Sequence, residues 1–202
     1  MKHEEIVLAD MHIRPGEAWE YCPREALRRV LKVLKDEFDL VLDTGFESEF
    51  LLLKSVASYD RLQPNTWSGA YLCWGKENRE APIRTACQPG TNDGSLSNFE
   101  IKSFDACANP YLALASIIAA GIDGLRRNLR LPEPVDINPS MDANLQTLPQ
   151  SLSESLEALE KDKALTDLLG EELLVAIKGV RKVEIDHYSN NKDAYKKLIH
   201  LY

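Results

Sequence analysis

The chain has 202 residues, 44% hydrophobic and 28% charged, which at ~100–200 residues per domain suits one core or two small ones. That profile excludes collagen, coiled coil and bulk disorder. Its 24 basic and 32 acidic residues leave a net charge of −8, and basic runs stop at pairs such as Arg126-Arg127 and Lys196-Lys197. The electrostatic footprint of a duplex nucleic-acid partner or an anionic membrane is therefore missing.

Residues 5–10 (EIVLAD) read as a short strand, followed by a turn at Pro15-Gly16. The charged start, Met1 to Glu5, has neither a secretory core nor a transit-peptide composition, which gives a cytoplasmic address by default. Leu27, Val30, Leu31, Leu34 and Phe38 recur at helical spacing behind Pro23, a residue suited to a first helical turn, and predict a helix over Pro23 to Phe38. From Leu40 to Leu53 the pattern becomes that of strands broken at Thr44-Gly45, and alternation there puts Glu47 and Glu49 on one face. Lys54 to Thr66 has the composition of a loop.

Strand-like runs follow at Gly69 to Gly75 and Asn98 to Phe104, separated by a loop over Gln88 to Ser97. The second run sets Asn98, Glu100 and Lys102 on one side, with Phe99 and Ile101 on the other. After the helix start Asn109-Pro110, the segment Tyr111 to Leu125 is apolar nearly all round, which predicts a central buried helix with Gly121 and Gly124 allowing close contact. Its longest apolar stretch, Tyr111 to Ile122, is shorter than the ~18–20 residues that span a bilayer. Four prolines between Leu131 and Pro149 mark an extended connector. Beyond it Ser151 and Glu154 form a capping-box pair, Leu152, Leu156 and Leu159 line one helix, Gly170 stops a short one, and Leu173, Ile177 and Val180 line the last. Cys22, Cys73, Cys87 and Cys107 lie far apart and out of zinc spacing with the four histidines, as reduced and mostly buried thiols do.

Three constellations could carry chemistry, and each has a plain alternative. Glu47 and Glu49 fit a hard divalent cation or a solvated strand face. Lys76, Arg79 and Arg84 fit a phosphate or carboxylate grip, or a surface ion-pair cluster with Glu77 and Glu80. Glu100 with Lys102 fits a cross-strand salt bridge or a ligand contact. No Ser/His/Asp triad, dinucleotide fingerprint or Walker loop is present.

Taken together, the segment Ser58 to Ala86 (SYDRLQPNTWSGAYLCWGKENREAPIRTA) followed by Asn98 to Leu125 (NFEIKSFDACANPYLALASIIAAGIDGL) resembles the C-terminal half of a glutamine synthetase catalytic domain. The NR-x(4)-R motif, followed by E-x(8)-NPYL and AGIDGL, carries that resemblance. Cys22 to Lys54, with its E-x-E-F strand, resembles the start of the same domain, and the connector with its helical tail resembles plant nodulin/glutamine synthetase-like proteins of the fluG type.

The resemblance implies an α+β fold: a partial catalytic domain, an antiparallel sheet or open-barrel remnant packed by helices, with a helical C-terminal tail. It implies three parts, residues 1–20 as the remnant of an N-terminal β-domain and linker, 21–130 as the truncated catalytic domain, and 131–202 as connector and helices. It also implies an ATP-dependent ligase joining glutamate to ammonia or an amine through a γ-glutamyl phosphate, with Mg2+ or Mn2+ as metal. By the resemblance, Glu47, Glu49 and Glu100 are metal ligands, and Arg61 and Lys102 lie at the glutamate substrate. Arg79 is the catalytic arginine, and Arg79 and Arg84 meet the nucleotide phosphates. Trp67 stands where ammonia-using members have a flap glutamate, which points to the glutamyl-amine branch. The family's long middle segment, with two further metal-binding glutamates and a histidine, has almost no counterpart between Lys54 and Ser58. The expectation is therefore an impaired or inactive chain, alternatively an interaction or decoy subunit, forming a homo-oligomer or associating with full-length relatives.

Overall fold

The computed structural model describes residues 7–47, 58–66, 69–88, 90, 95–104 and 108–191. In chain order the first half holds β1 (His12–Arg14), β2 (Glu17–Ala18), α1 (Pro23–Phe38), β3 (Trp74–Lys76), β4 (Ile83–Cys87) and β5 (Leu96–Ile101). The second half holds α2 (Pro110–Arg126), α3 (Leu152–Lys161), α4 (Lys163–Leu169) and α5 (Glu171–Asn190). These elements fall into two units, each assembled from three stretches of chain.

The first unit comprises residues 1–46, 108–129 and 162–180. Pro15 and Gly16 make the expected turn, with Gly16 at φ 85° as a type II turn requires at its second central position. The strands flank that turn as β1 and β2, whereas residues 7–10 are irregular and the rest of the strand expected at 5–10 lies outside the described residues. Helix α1 begins at Pro23, as its spacing predicts, and buries Ala26, Val30 and Leu34. Ala26 takes the place expected for Leu31, which is exposed.

Helix α2 starts on Asn109, whose side-chain oxygen accepts the amides of Tyr111 at 3.1 Å and Leu112 at 3.2 Å, satisfying two of the unpaired donors of a first turn. It buries Ala115, Ile118, Ala119 and Ile122, one stripe at i, i+3, i+4 and i+7 that packs on α1 and α4. The expectation of a helix buried all round is corrected here. Ala120 and Gly121 face outward, and a Cβ on Gly121 or Gly124 would meet nothing within 4 Å, because the neighbouring helices of this unit cover only one side. Arg126 on the last turn of α2 grips Glu37 on the last turn of α1 through two hydrogen bonds of 2.8 and 2.5 Å. Arg29 donates to the Leu169 carbonyl at 2.7 Å, supplying a partner at the C-terminus of α4, which ends at Gly170 with φ 96°. Leu173 at the start of α5 is buried as expected, while Val180 is exposed.

The second unit comprises residues 47–107, 130–161 and 181–202. Its sheet has the order β3-β4-β5. The sheet is antiparallel only between β4 and β5; β3 and β4 run parallel, with Trp74 opposite Ile83 and Lys76 opposite Thr85. Of the antiparallel sheet or open-barrel remnant that the resemblance implies, the antiparallel pairing holds for β4 with β5, and the parallel β3–β4 pair departs from it. Parallel neighbours normally need a crossover of about a dozen residues or more, yet only residues 77–82 connect these two. Each strand is so short that a tight return suffices.

The proline-rich connector is a structural member of this unit. Val135 N–H donates to the Trp74 carbonyl at 2.8 Å, Leu72 N–H to Gln146 at 2.7 Å, and Leu148 N–H to Ala70 at 2.8 Å. Tyr71 and Thr147 form an antiparallel bridge. The connector thereby gives hydrogen-bond partners to the chain entering and forming the outer edge of β3. Helix α3 carries the expected capping pair: Ser151 Oγ accepts the Glu154 amide at 3.1 Å, and Glu154 reaches back to the Gln150 amide at 2.8 Å.

The strand expected over Leu40 to Leu53 does not form in its described part, since residues 40–47 are irregular. Alternation alone holds no strand without a partner to accept its ladder. Residues 48–53 lie outside the described residues. Among the described residues no helix is long and apolar enough to cross a membrane.

Candidate functional site

Five of the seven residues assigned above to metal, substrate or nucleotide contacts are brought together in the second unit. Arg84 on β4 stands directly opposite Glu100 on β5, so the pleat sends both side chains to the same face. The Arg84 guanidinium donates to the Glu100 carboxylate, and both side chains are partly sheltered, at 22% and 34% exposure. Just past β5, the Lys102 amide donates to the Pro82 carbonyl at 2.8 Å, and its ammonium donates to the Arg79 carbonyl. Partial burial pulls the Lys102 ammonium below its ordinary pKa; Glu100 opposes that shift and Arg84 adds to it, with smaller contributions from Glu80 and Arg79. Arg79, Arg84 and Glu100 are thus all near enough to Lys102 to act on its charge.

Arg61, on the short turn Ser58–Arg61, anchors the back of this group. Its two terminal nitrogens donate to the carbonyls of Lys102 at 2.8 Å and Phe104 at 2.7 Å. Glu47 is exposed on an irregular segment. Glu49 and Trp67 lie outside the described residues.

The return between β3 and β4 presents Arg79 outward. Glu77 opens it in the left-handed region, at φ 52°. Its amide donates to the Thr85 carbonyl at 3.0 Å, and its carboxylate accepts the Cys87 amide, a bond that holds the Glu77 carboxyl below its ordinary pKa. Asn78 follows, with its side-chain nitrogen donating to the carbonyls of Val135 at 2.6 Å and Ile137 at 3.0 Å and its oxygen accepting the Glu80 amide at 3.0 Å. Asn78 belongs to the NR-x(4)-R motif, yet sequence reasoning gave it no role; its partners are backbone carbonyls, which leave no signature in side-chain spacing.

Among the described residues, no three of His, Cys, Asp and Glu gather in a group that could hold a metal ion. Glu100 already faces a guanidinium, which repels a cation at the same carboxylate. The described residues therefore do not by themselves fit the divalent metal that the family resemblance implies.

The second unit thus aligns an arginine and a glutamate on a strand pair, beside a second arginine and a lysine. The chain belongs to the glutamine synthetase catalytic-domain family: the sequence pattern described as "Glutamine synthetase, catalytic domain" matches residues 54–198. Gamma-glutamylpolyamine synthetase GlnA3 of Streptomyces coelicolor is 41% identical over 138 residues, covering 65% of this chain and 30% of that protein. Protein fluG of Emericella nidulans is 42% identical over 132 residues, covering 60% of this chain and 14% of that protein. A solved structure described as a novel glutamine synthase homolog superposes with a TM-score of 0.56 at 29% identity, over 94% of this chain and 41% of that one. The chain spans less than a third of the length of those two curated relatives.

Proposed function

We propose that the chain carries the nucleotide- and phosphoryl-contacting corner of an ATP-dependent carboxylate–amine ligase of glutamine synthetase type and does not complete that reaction alone. The observation that supports this most is the cross-strand placement of Arg84 against Glu100, with Lys102 and the Arg79 turn around it. Transfer of a phosphoryl group to the γ-carboxylate of glutamate asks chiefly for positioned cations that neutralise developing charge. Arg79 and Arg84 supply them in this reading, Lys102 lies beside the glutamate, and Arg61 contacts its carboxylate from the anchorage it has on the Lys102 and Phe104 carbonyls. Trp67 in place of a flap glutamate, and the similarity to a γ-glutamylpolyamine synthetase, favour an amine as acceptor. Incompleteness is supported by the near-absence, between Lys54 and Ser58, of a counterpart to the family's middle segment with its further metal-binding residues.

The test has two arms. ADP with magnesium should bind with a dissociation constant of roughly 1 mM, equivalent to ~4 kcal/mol, and more weakly after Arg84→Ala; equal affinity in the variant removes Arg84 from the nucleotide site. Magnesium-ATP, glutamate and ammonia or a polyamine should yield no phosphate above that from the Glu47→Ala/Glu49→Ala protein. A glutamate-dependent excess would show that the site is complete.

A further inference from the structure

We propose that Asn78 is a positioning residue through which the proline-rich connector sets the place of Arg79 at the phosphate-contacting corner. The inference rests on the ligase-corner reading above and deepens it.

The return that bears Arg79 has only residues 77–82 in which to leave β3 and come back parallel to it, so its path must be held from outside. The carboxamide of Asn78 supplies that hold from two sides at once. It donates outward to the Val135 and Ile137 carbonyls of the connector and accepts the Glu80 amide inside the turn, bracketing Arg79 between its own neighbours. The fit is also close: a Cβ built on Gly75 would come within 2.6 Å of both the Val135 oxygen and the Asn78 Cβ, so the connector, the end of β3 and Asn78 sit in direct contact. On the far side, the Lys102 ammonium donates to the Arg79 carbonyl. Arg79 therefore presents its guanidinium from a backbone clamped between the connector and the residue after β5.

Trp74 provides an internal contrast. Its indole N–H also donates to the connector, at the Pro132 carbonyl over 2.8 Å, but it precedes the turn and touches none of residues 79–81 through that bond. A merely structural tie between connector and sheet is what Trp74→Phe removes; a positioning tie is what Asn78→Ala and Asn78→Asp remove. The aspartate keeps the acceptor for Glu80 but has no N–H to give the connector carbonyls.

The experiment follows amide chemical shifts of the full chain during titration with ADP and magnesium, together with hydrogen exchange of residues 77–82. In Asn78→Ala and Asn78→Asp the turn amides should exchange faster and ADP affinity should fall roughly tenfold, the loss of one charge-assisted hydrogen bond. In an Arg79→Ala background the same Asn78 change should cause no further loss, and Trp74→Phe should leave affinity unchanged. If wild type binds ADP and Arg84→Ala weakens it while Asn78→Ala does not, the positioning role is overturned and the ligase-corner reading stands. Equal losses from Asn78→Ala with and without Arg79 overturn it too, as does a loss of affinity in Trp74→Phe matching that in Asn78→Ala. Absence of ADP binding by wild type overturns the ligase-corner reading itself, and the inference built on it.

Discussion

Replacing Gly75 by alanine puts the packing of β3 against the connector to a direct measurement. The added Cβ would lie 2.6 Å from the Val135 oxygen, 2.6 Å from the Asn78 Cβ and 3.3 Å from the Asn78 Cγ. A backbone oxygen cannot swing aside as a flexible side chain does, so the connector must back away as a whole. Overpacking of this kind costs ~1–3 kcal/mol. Retreat of Val135 also stretches its 2.8 Å bond to the Trp74 carbonyl, and a weakened backbone hydrogen bond adds ~0.5–1.5 kcal/mol. The expected loss is then about 1.5–4.5 kcal/mol, the sum of those two ranges. Urea unfolding should be followed by Trp74 fluorescence, with Trp19 and Trp67 changed to phenylalanine so that Trp74 reports alone. At a slope of ~2 kcal/mol per molar the midpoint should fall by about 1–2 M. A midpoint within about 0.2 M of the parent would mean that the connector does not sit over Gly75.

Gly121→Ala should have the opposite sign. The position is helical and exposed, and its Cβ meets nothing within 4 Å, so removing glycine's backbone freedom should stabilise α2 by ~0.5–1 kcal/mol; destabilisation in a urea titration followed by helical circular dichroism would refute the one-sided packing of that helix. Glu37 has its pKa held below the ordinary 4.5 chiefly by its hydrogen bonds to Arg126. The stability this pair contributes is present above 4.5 and is lost as pH falls through the lower folded value. Glu37→Gln should therefore be less stable than wild type at neutral pH, with the difference closing at more acid pH; melting curves that keep a constant offset down to acid pH would show that the carboxylate's charge does not matter.

The helices were legible because their ends are written in side chains. Pro23, Asn109 and the Ser151/Glu154 pair each do in the structure what their position predicts. Burial was less legible: Ala26 replaces Leu31 in the core and Val180 faces out, since spacing identifies a stripe but not which neighbour covers it. The connector was misleading for a different reason. Its prolines spell an extended linker, and the groups that stitch it to residues 70–78 are main-chain N–H and C=O, common to all sequences. At the candidate site, the strand carrying Glu100 and the arginine motif were both visible. The parallel register of β3 against β4 was not, because the return of residues 77–82 obeys a distance constraint rather than a residue pattern. The same holds for Arg61, whose anchoring partners are carbonyls.

The interleaving of the two units has a consequence for biosynthesis. Helix α1 ends at Phe38, but its partner α2 begins at Pro110, and α4, which also packs on it, ends at Leu169. At a synthesis rate of ~5–20 residues per second, α1 emerges about 4–14 s before the start of α2 and about 7–26 s before the end of α4. During that interval α1, whose Val30 and Leu34 are buried in the finished protein, lacks both of the helices that pack on it. The second unit faces the same delay, since β3 must await the connector. Neither unit can therefore fold behind the ribosome as a contiguous piece, and chaperone demand during translation should exceed what a chain of this length ordinarily imposes.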